Sequence, residues 1–291
     1  MRPRTSPRSV AGAALLAATV AVVVAAPADA GGAGRPATVT RGLRDVRTPA
    51  PAGAPAAPAT PQGTGAPRGD LPGWRQVLVD DFTTYVPLGG FPGPAYAGRW
   101  TGYDGAHDTS GAGTYRPARV VSVDDGVLDL HVRTEGGTPL VAAPVPLRDG
   151  QWGGWTYGRY SVRYRADAVP GYKTAWLLWP DSDDWSDGEV DFPEGDLDGT
   201  VHGFVHRPGA PEQNALAVDT GVRATDWHVA TVEWRPEGVR FLLDGVLVGS
   251  TPVSPDRPMH LVLQTETSGG TPPAGAAGHV QVDWVALYRL V

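Results

Sequence analysis

The chain has 291 residues and no cysteine, and its 31 acidic residues outnumber its 24 basic ones for a net charge of −7. A disulfide scaffold and a thiolate metal site are both excluded, so a folded core must hold by packing alone. The acidic balance speaks against a nucleic-acid partner, because phosphate binding favours clustered Lys and Arg.

The N-terminus reads as a secretory leader. Arg2, Arg4 and Arg8 precede an apolar run from Ala11 to Ala26, and Ala28-Asp29-Ala30 has the small-x-small pattern of a cleavage site. The run falls short of the roughly 20 apolar residues that a membrane span needs. Residues 1–30 are therefore expected to be a signal peptide, which makes the mature protein secreted, extracellular and without stable membrane association. Residues 31–70 are rich in Ala, Pro and Gly and cannot bury enough surface to offset chain entropy, so a disordered linker is expected. Residues 71–291 suit one all-β domain. That part holds 16 basic and 28 acidic residues, a net of −12, which suits solubility and a neutral polymer partner.

Strand signals dominate the domain. Gln76–Phe82 reads as an early strand. Val120–Val123 and Val127–Val132 read as a hairpin turning at Asp124-Asp125-Gly126. Tyr157–Arg165 alternates cleanly, and Thr174–Trp179 is a buried-type run that ends at Pro180. An acidic segment follows, then Val201–His206. The late strands are Trp227–Trp234, Val239–Leu243, Val246–Ser250, His260–Thr265 and Val280–Leu290, with a tight turn at Asp244-Gly245. Helical periodicity is not sustained over 12 residues anywhere. Many short strands with Gly and Pro turns indicate a sandwich or barrel.

The acidic segment is Glu189-Val190-Asp191-Phe192-Pro193-Glu194. On a strand, Glu189 and Asp191 share a face. Strict alternation would send Glu194 to the other face, and one extra residue in a β-bulge would bring it back. Pro193 fits such a bulge, since proline cannot donate to a sheet ladder. Crowded carboxylates resist full ionisation, so at least one should keep its proton. A charged acid beside a protonated one is what retaining glycoside hydrolysis uses, with the two carboxyls roughly 5–5.5 Å apart. An acidic surface turn or a calcium loop has the same composition, and Asp181, Asp183, Asp184, Asp187, Asp196 and Asp198 flank the segment. Five of the ten tryptophans, Trp152, Trp155, Trp176, Trp179 and Trp185, come shortly before these acids. Sugar rings stack their C–H faces on aromatic rings, so aromatics beside carboxylates describe a carbohydrate cleft. The bland reading places Trp176 and Trp179 in the core. His202, His206 and His260 do not have a zinc spacing.

Together these residues resemble glycoside hydrolase family 16, the laminarinase and lichenase family. The acidic segment is similar to that family's bulged E-x-D-x-x-E signature. Tyr157-Gly158-Arg159-Tyr160, Ala175–Pro180, Val201–His206, Trp227–Trp234 with Phe241–Gly245, and Val282–Tyr288 resemble its neighbouring motifs in the same order. The resemblance implies a concanavalin A-like β-jelly-roll, an all-β sandwich of two curved antiparallel sheets with a concave substrate cleft. It implies Glu189 as nucleophile, Glu194 as acid/base and Asp191 between them. Trp176, Trp185, His206 and Gln264 become candidates for substrate binding. No cofactor is required, although some members bind a structural calcium at places matched by Gly126 and Asp283. The expected activity is endo-hydrolysis of β-1,3- or mixed β-1,3/1,4-glucan. The expected partner is a polysaccharide, and the expected state is a monomer. A transglycosylase of the same fold and a non-catalytic carbohydrate-binding module are the alternatives. Thr265–Gly270 departs from the family's usual pattern, which puts subsite transfer in question.

Overall fold

The structure is a computed structural model, and its described residues are 65–291. The expected signal peptide and all but the end of the expected linker lie outside the described residues. The chain enters the domain slightly earlier than composition suggests. Gln76 Nε2 donates to the Pro67 carbonyl at 2.7 Å, and the Gln76 amide donates to Asp70 at 2.9 Å.

The strands in chain order are Trp74–Asp80 (β1), Trp100–Gly102 (β2), Thr114–Tyr115 (β3), Val121–Asp124 (β4), Val127–Glu135 (β5), Thr138–Val141 (β6), Pro144–Pro146 (β7), Gly158–Ala166 (β8), Tyr172–Pro180 (β9), Glu189–Asp196 (β10), His202–Arg207 (β11), Ala210–Asp219 (β12), His228–Arg235 (β13), Gly238–Leu243 (β14), Val246–Thr251 (β15), Met259–Thr267 (β16) and Ala277–Leu290 (β17). Helix is confined, among the described residues, to Gly93–Tyr96 (α1), Pro117–Val120 (α2) and a 3-10 turn at Trp185–Asp187. No helix among them is long and apolar enough to cross a membrane.

Two sheets form a β-sandwich of jelly-roll type. The larger runs β15-β14-β13-β8-β17-β5-β6-β3, with β1 also on β17 and β4 also on β5. The smaller runs β12-β11-β10-β9-β16. The ladders are antiparallel except the short β3–β6 pair, which is parallel. The expected turns are present: Asp125 and Gly126 have φ of 49° and 76°, and Asp244 and Gly245 have 53° and 79°, as two-residue hairpins require.

Alternation along the strands sends one face of each sheet into a shared core. Val190, Phe192, Leu178, Val205, Leu261 and Leu263 come from the small sheet, and Val162, Tyr164, Phe241, Val280 and Val282 from the large one. Aromatic pairs bridge the layers. Trp176 meets Tyr164 at 4.8 Å, and Phe192 stacks on Phe241 at 4.8 Å. Such rings bury on the order of 150–250 Å² each, which lets a cysteine-free core suffice. A second cluster of Trp74, Trp284, Ala286 and Tyr288 closes the outer side of the large sheet.

Candidate active site

The small sheet turns its other face outward, and β10 lies at its centre. Residues directly opposite on neighbouring strands share a face. Glu189 lies opposite His206, and Asp191 lies opposite Leu177 and Phe204. Glu194 lies opposite Ala175 and His202. Between Asp191 and Glu194, β10 therefore advances three residues while each neighbour advances two. This is the expected bulge, and it returns Glu194 to the face that carries Glu189 and Asp191. Phe192 uses the bulge to drop into the core. Gly203 makes room for it, since a Cβ there would lie 2.8 Å from both the Phe192 and Phe241 rings.

Trp185 reaches the acids from the 3-10 turn. The Asp184 side chain caps that turn by accepting from the Ser186 amide at 2.9 Å. The turn ends at Gly188, whose φ of 93° a side chain would resist. Trp185 Nε1 donates to Glu189 Oε2 at 2.7 Å, and its ring lies 5.5 Å from that of His206. His206 Nδ1 donates to the Pro211 carbonyl at 2.7 Å. That bond fixes the tautomer, so Nε2 is the nitrogen facing Asp191 Oδ2, 3.2 Å away. A single proton can serve both atoms.

Burial, followed by the neighbouring Asp191 charge, pushes the Glu189 carboxyl well above its ordinary range. Burial, followed by Glu194, does the same to Asp191. His206 and the Trp185 indole oppose the shift at Glu189. Glu189 and Asp191 therefore hold their protons to higher pH than isolated carboxyls would.

The sequence candidates fare unequally. Glu189, Asp191, Glu194, Trp185 and His206 come together. Gln264 of β16 lies opposite Ala175 on the same face, but it is 5% exposed and its amide donates to Glu266 at 2.7 Å. Trp176 is a correction: its neighbours Ala175 and Leu177 lie opposite Glu194 and Asp191, so it points the other way and is fully buried against Tyr164. It is core, not cleft wall. Trp179 shares the outward face and is half-buried, with its indole donating to Asp183 at 2.8 Å. The expected calcium pair is Gly126 and Asp283. The Arg163 guanidinium is bonded to Asp283 Oδ2 and lies 4.6 Å over the Trp227 ring. An organic cation thus faces the Asp283 carboxylate. Among the described residues, Glu189, Asp191 and His206 alone bring three ligand-type atoms within 4.8 Å of one another. Lys173 is the residue that reading the sequence missed: its ammonium lies 3.0 Å from Glu194 Oε1.

Comparison with known proteins points to the same fold. The pattern of "Glycosyl hydrolases family 16" matches residues 153–286, which include the whole acidic segment. A β-glucanase of Rhodothermus marinus is 29% identical over 272 residues, covering 78% of this chain and 90% of its own. The laminarinase structure from Rhodothermus marinus superposes with a TM-score of 0.59 at 27% identity, over 75% of this chain and 98% of its own. A protein of Mycobacterium tuberculosis described as a pseudo β-1,3-glucanase shares the fold, with a TM-score of 0.59 at 23% identity over 74% and 99% of the two chains. With its bulged acidic strand, its two-sheet sandwich and these relatives, the chain is similar to the glycosyl hydrolases of family 16, whose pattern covers residues 153–286.

Proposed function

We propose that the protein is a retaining, endo-acting hydrolase of β-1,3- or mixed β-1,3/1,4-glucan. The observation that carries this reading is the bulge, which turns Glu189, Asp191 and Glu194 to one face. The β-glucanase and laminarinase relatives support the substrate class. Glu189 attacks the anomeric carbon and forms a glycosyl ester as Glu194 protonates the departing sugar oxygen. Glu194 then takes a proton from water, the water attacks the same carbon, and Glu189 leaves. The Trp185 indole orients Glu189 and favours its charged form. Asp191, backed by His206, holds a proton close to both glutamates and spares the site a third charge.

The fold alone does not fix activity, since a pseudo-glucanase shares it. What favours catalysis over a binding module is that all three acids are present and in place. Secretion, a monomeric state and the absence of membrane association belong to the same proposal. The test is release of reducing ends from laminarin, lichenan, agarose and xyloglucan. Laminarin or lichenan should be cleaved to oligosaccharides at least about 10-fold faster than the other two. Glucan binding without any release would favour the module, and products longer than the substrate would favour a transglycosylase.

A further inference from the structure

The chain contains 23 arginines and a single lysine, Lys173. That lysine stands on β9 with its ammonium 3.0 Å from Glu194 Oε1 and 3.4 Å from Glu266 Oε2. Glu266 comes from β16, directly opposite Lys173 in the ladder. It is fully buried, and its position is tightly determined. Its Oε1 accepts from the Thr109 amide at 3.1 Å, the Thr109 hydroxyl at 2.7 Å, the Tyr115 hydroxyl at 3.2 Å and the Gln264 amide at 2.7 Å. Four donors converging on one oxygen suit an acceptor-only carboxylate. Its Oε2 has no hydrogen bond, only the lysine ammonium.

We infer that Lys173, held in place by Glu266, is a positioning residue that governs how readily Glu194 gives up and takes back its proton. The inference rests on the acid/base role proposed for Glu194. The groups facing Glu194 are few: Asp191, and Glu189 beyond it, on its own strand; Lys173 on β9; His202 opposite and His206 farther along β11; and Glu266 on β16 behind the lysine. Lys173 is the one of them that carries a permanent positive charge. Burial works against its ammonium, but Glu194 and then Glu266 outweigh burial and raise its proton affinity above that of a free lysine. The cation eases proton donation in the first step and keeps Glu194 ionised for the second. Glu266 moderates this by drawing part of the ammonium's field away. The arrangement also explains why a lysine stands where the rest of the chain uses arginine. A compact ammonium fits between two carboxylates, whereas a planar fork would engage one of them bidentately.

The two partners should act in opposite directions, which a merely structural role would not produce. The experiment is the pH profile of kcat/KM on laminarin. Lys173→Met should move the alkaline limb up by about one pH unit or more, the usual effect of an opposite charge at this distance. Glu266→Gln should move it down, because the lysine then acts on Glu194 alone. Lys173→Arg, which keeps the charge but engages one carboxylate bidentately, should return the limb only part of the way. If Lys173→Met does not fold by circular dichroism, Lys173→Gln and Glu266→Gln carry the same opposed expectations. An active wild type whose limb ignores both substitutions, or moves the same way in both, overturns the inference about Lys173 alone. A wild type inactive on laminarin and lichenan overturns the proposed function with it.

Discussion

Glu189→Gln is expected to lose at least about 10⁴-fold in kcat and, in the same variant, to gain thermal stability. The loss follows from removing the atom that forms the covalent intermediate, since nucleophile deletions elsewhere cost that much or more. The gain follows from the electrostatics of the buried pair. Glu189 is raised above its ordinary value of 4.5, mainly by burial and then by Asp191. Above that ordinary value the folded chain holds a proton that the unfolded chain has released. Stability therefore falls as pH rises from about 4.5 toward the raised folded value, by up to about 1.4 kcal/mol per pH unit per proton. Glutamine has no charge to bury and can still accept the Trp185 hydrogen bond. Thermal melts should thus show little difference between variant and wild type at pH 4 and a gain of several degrees at pH 7. A domain of this size moves about 2–4 °C for each kcal/mol. Retained turnover would remove Glu189 from the mechanism. An unchanged melting point at pH 7 would remove the charge crowding.

The second large effect concerns Glu194. Glu194→Ala should reduce hydrolysis of natural glucan by about 10²–10⁴-fold, the range that general acid catalysis supplies. It should spare the first step on an aryl glycoside whose leaving group needs no proton. Pre-steady-state measurement with a 2,4-dinitrophenyl oligoglucoside should therefore show a burst of phenol followed by slow turnover, because the base is missing from the second step. Equal losses on both substrates would mean that Glu194 binds sugar without transferring a proton. This result also bears on Lys173, whose ammonium would then face an empty position beside Glu266.

The sequence made the centre of the site legible because its geometry is local. Period-two alternation placed Glu189 and Asp191 together, and Pro193 marked the bulge that restores Glu194 to their face. His206 was reached through the family resemblance. Trp176 was misassigned, because Ala175–Trp179 is apolar throughout and gives no alternation from which to read a face. Only the β9–β10 register assigns it to the core. Strand β12 escaped notice for a related reason. It is an edge strand with Pro211, Glu212, Gln213 and Asn214 at its start and few buried side chains, so its composition reads as loop. Yet it supplies the Pro211 carbonyl that orients His206. The Arg163–Asp283 pair joins β8 to β17, and Lys173 and Glu266 join β9 to β16, so each contact depends on strand order. Residues whose roles depend on which strands are neighbours stay hidden until the sheet is assembled.

The most direct measurement is the anomeric configuration of the first product, followed by proton NMR as laminarin is cleaved. Attack by Glu189 and then by water at the same carbon inverts that carbon twice. The β-anomer should therefore accumulate first and drift to the α/β equilibrium only by mutarotation. Early accumulation of the α-anomer would mean a single displacement by water, and Glu189 would not be the nucleophile.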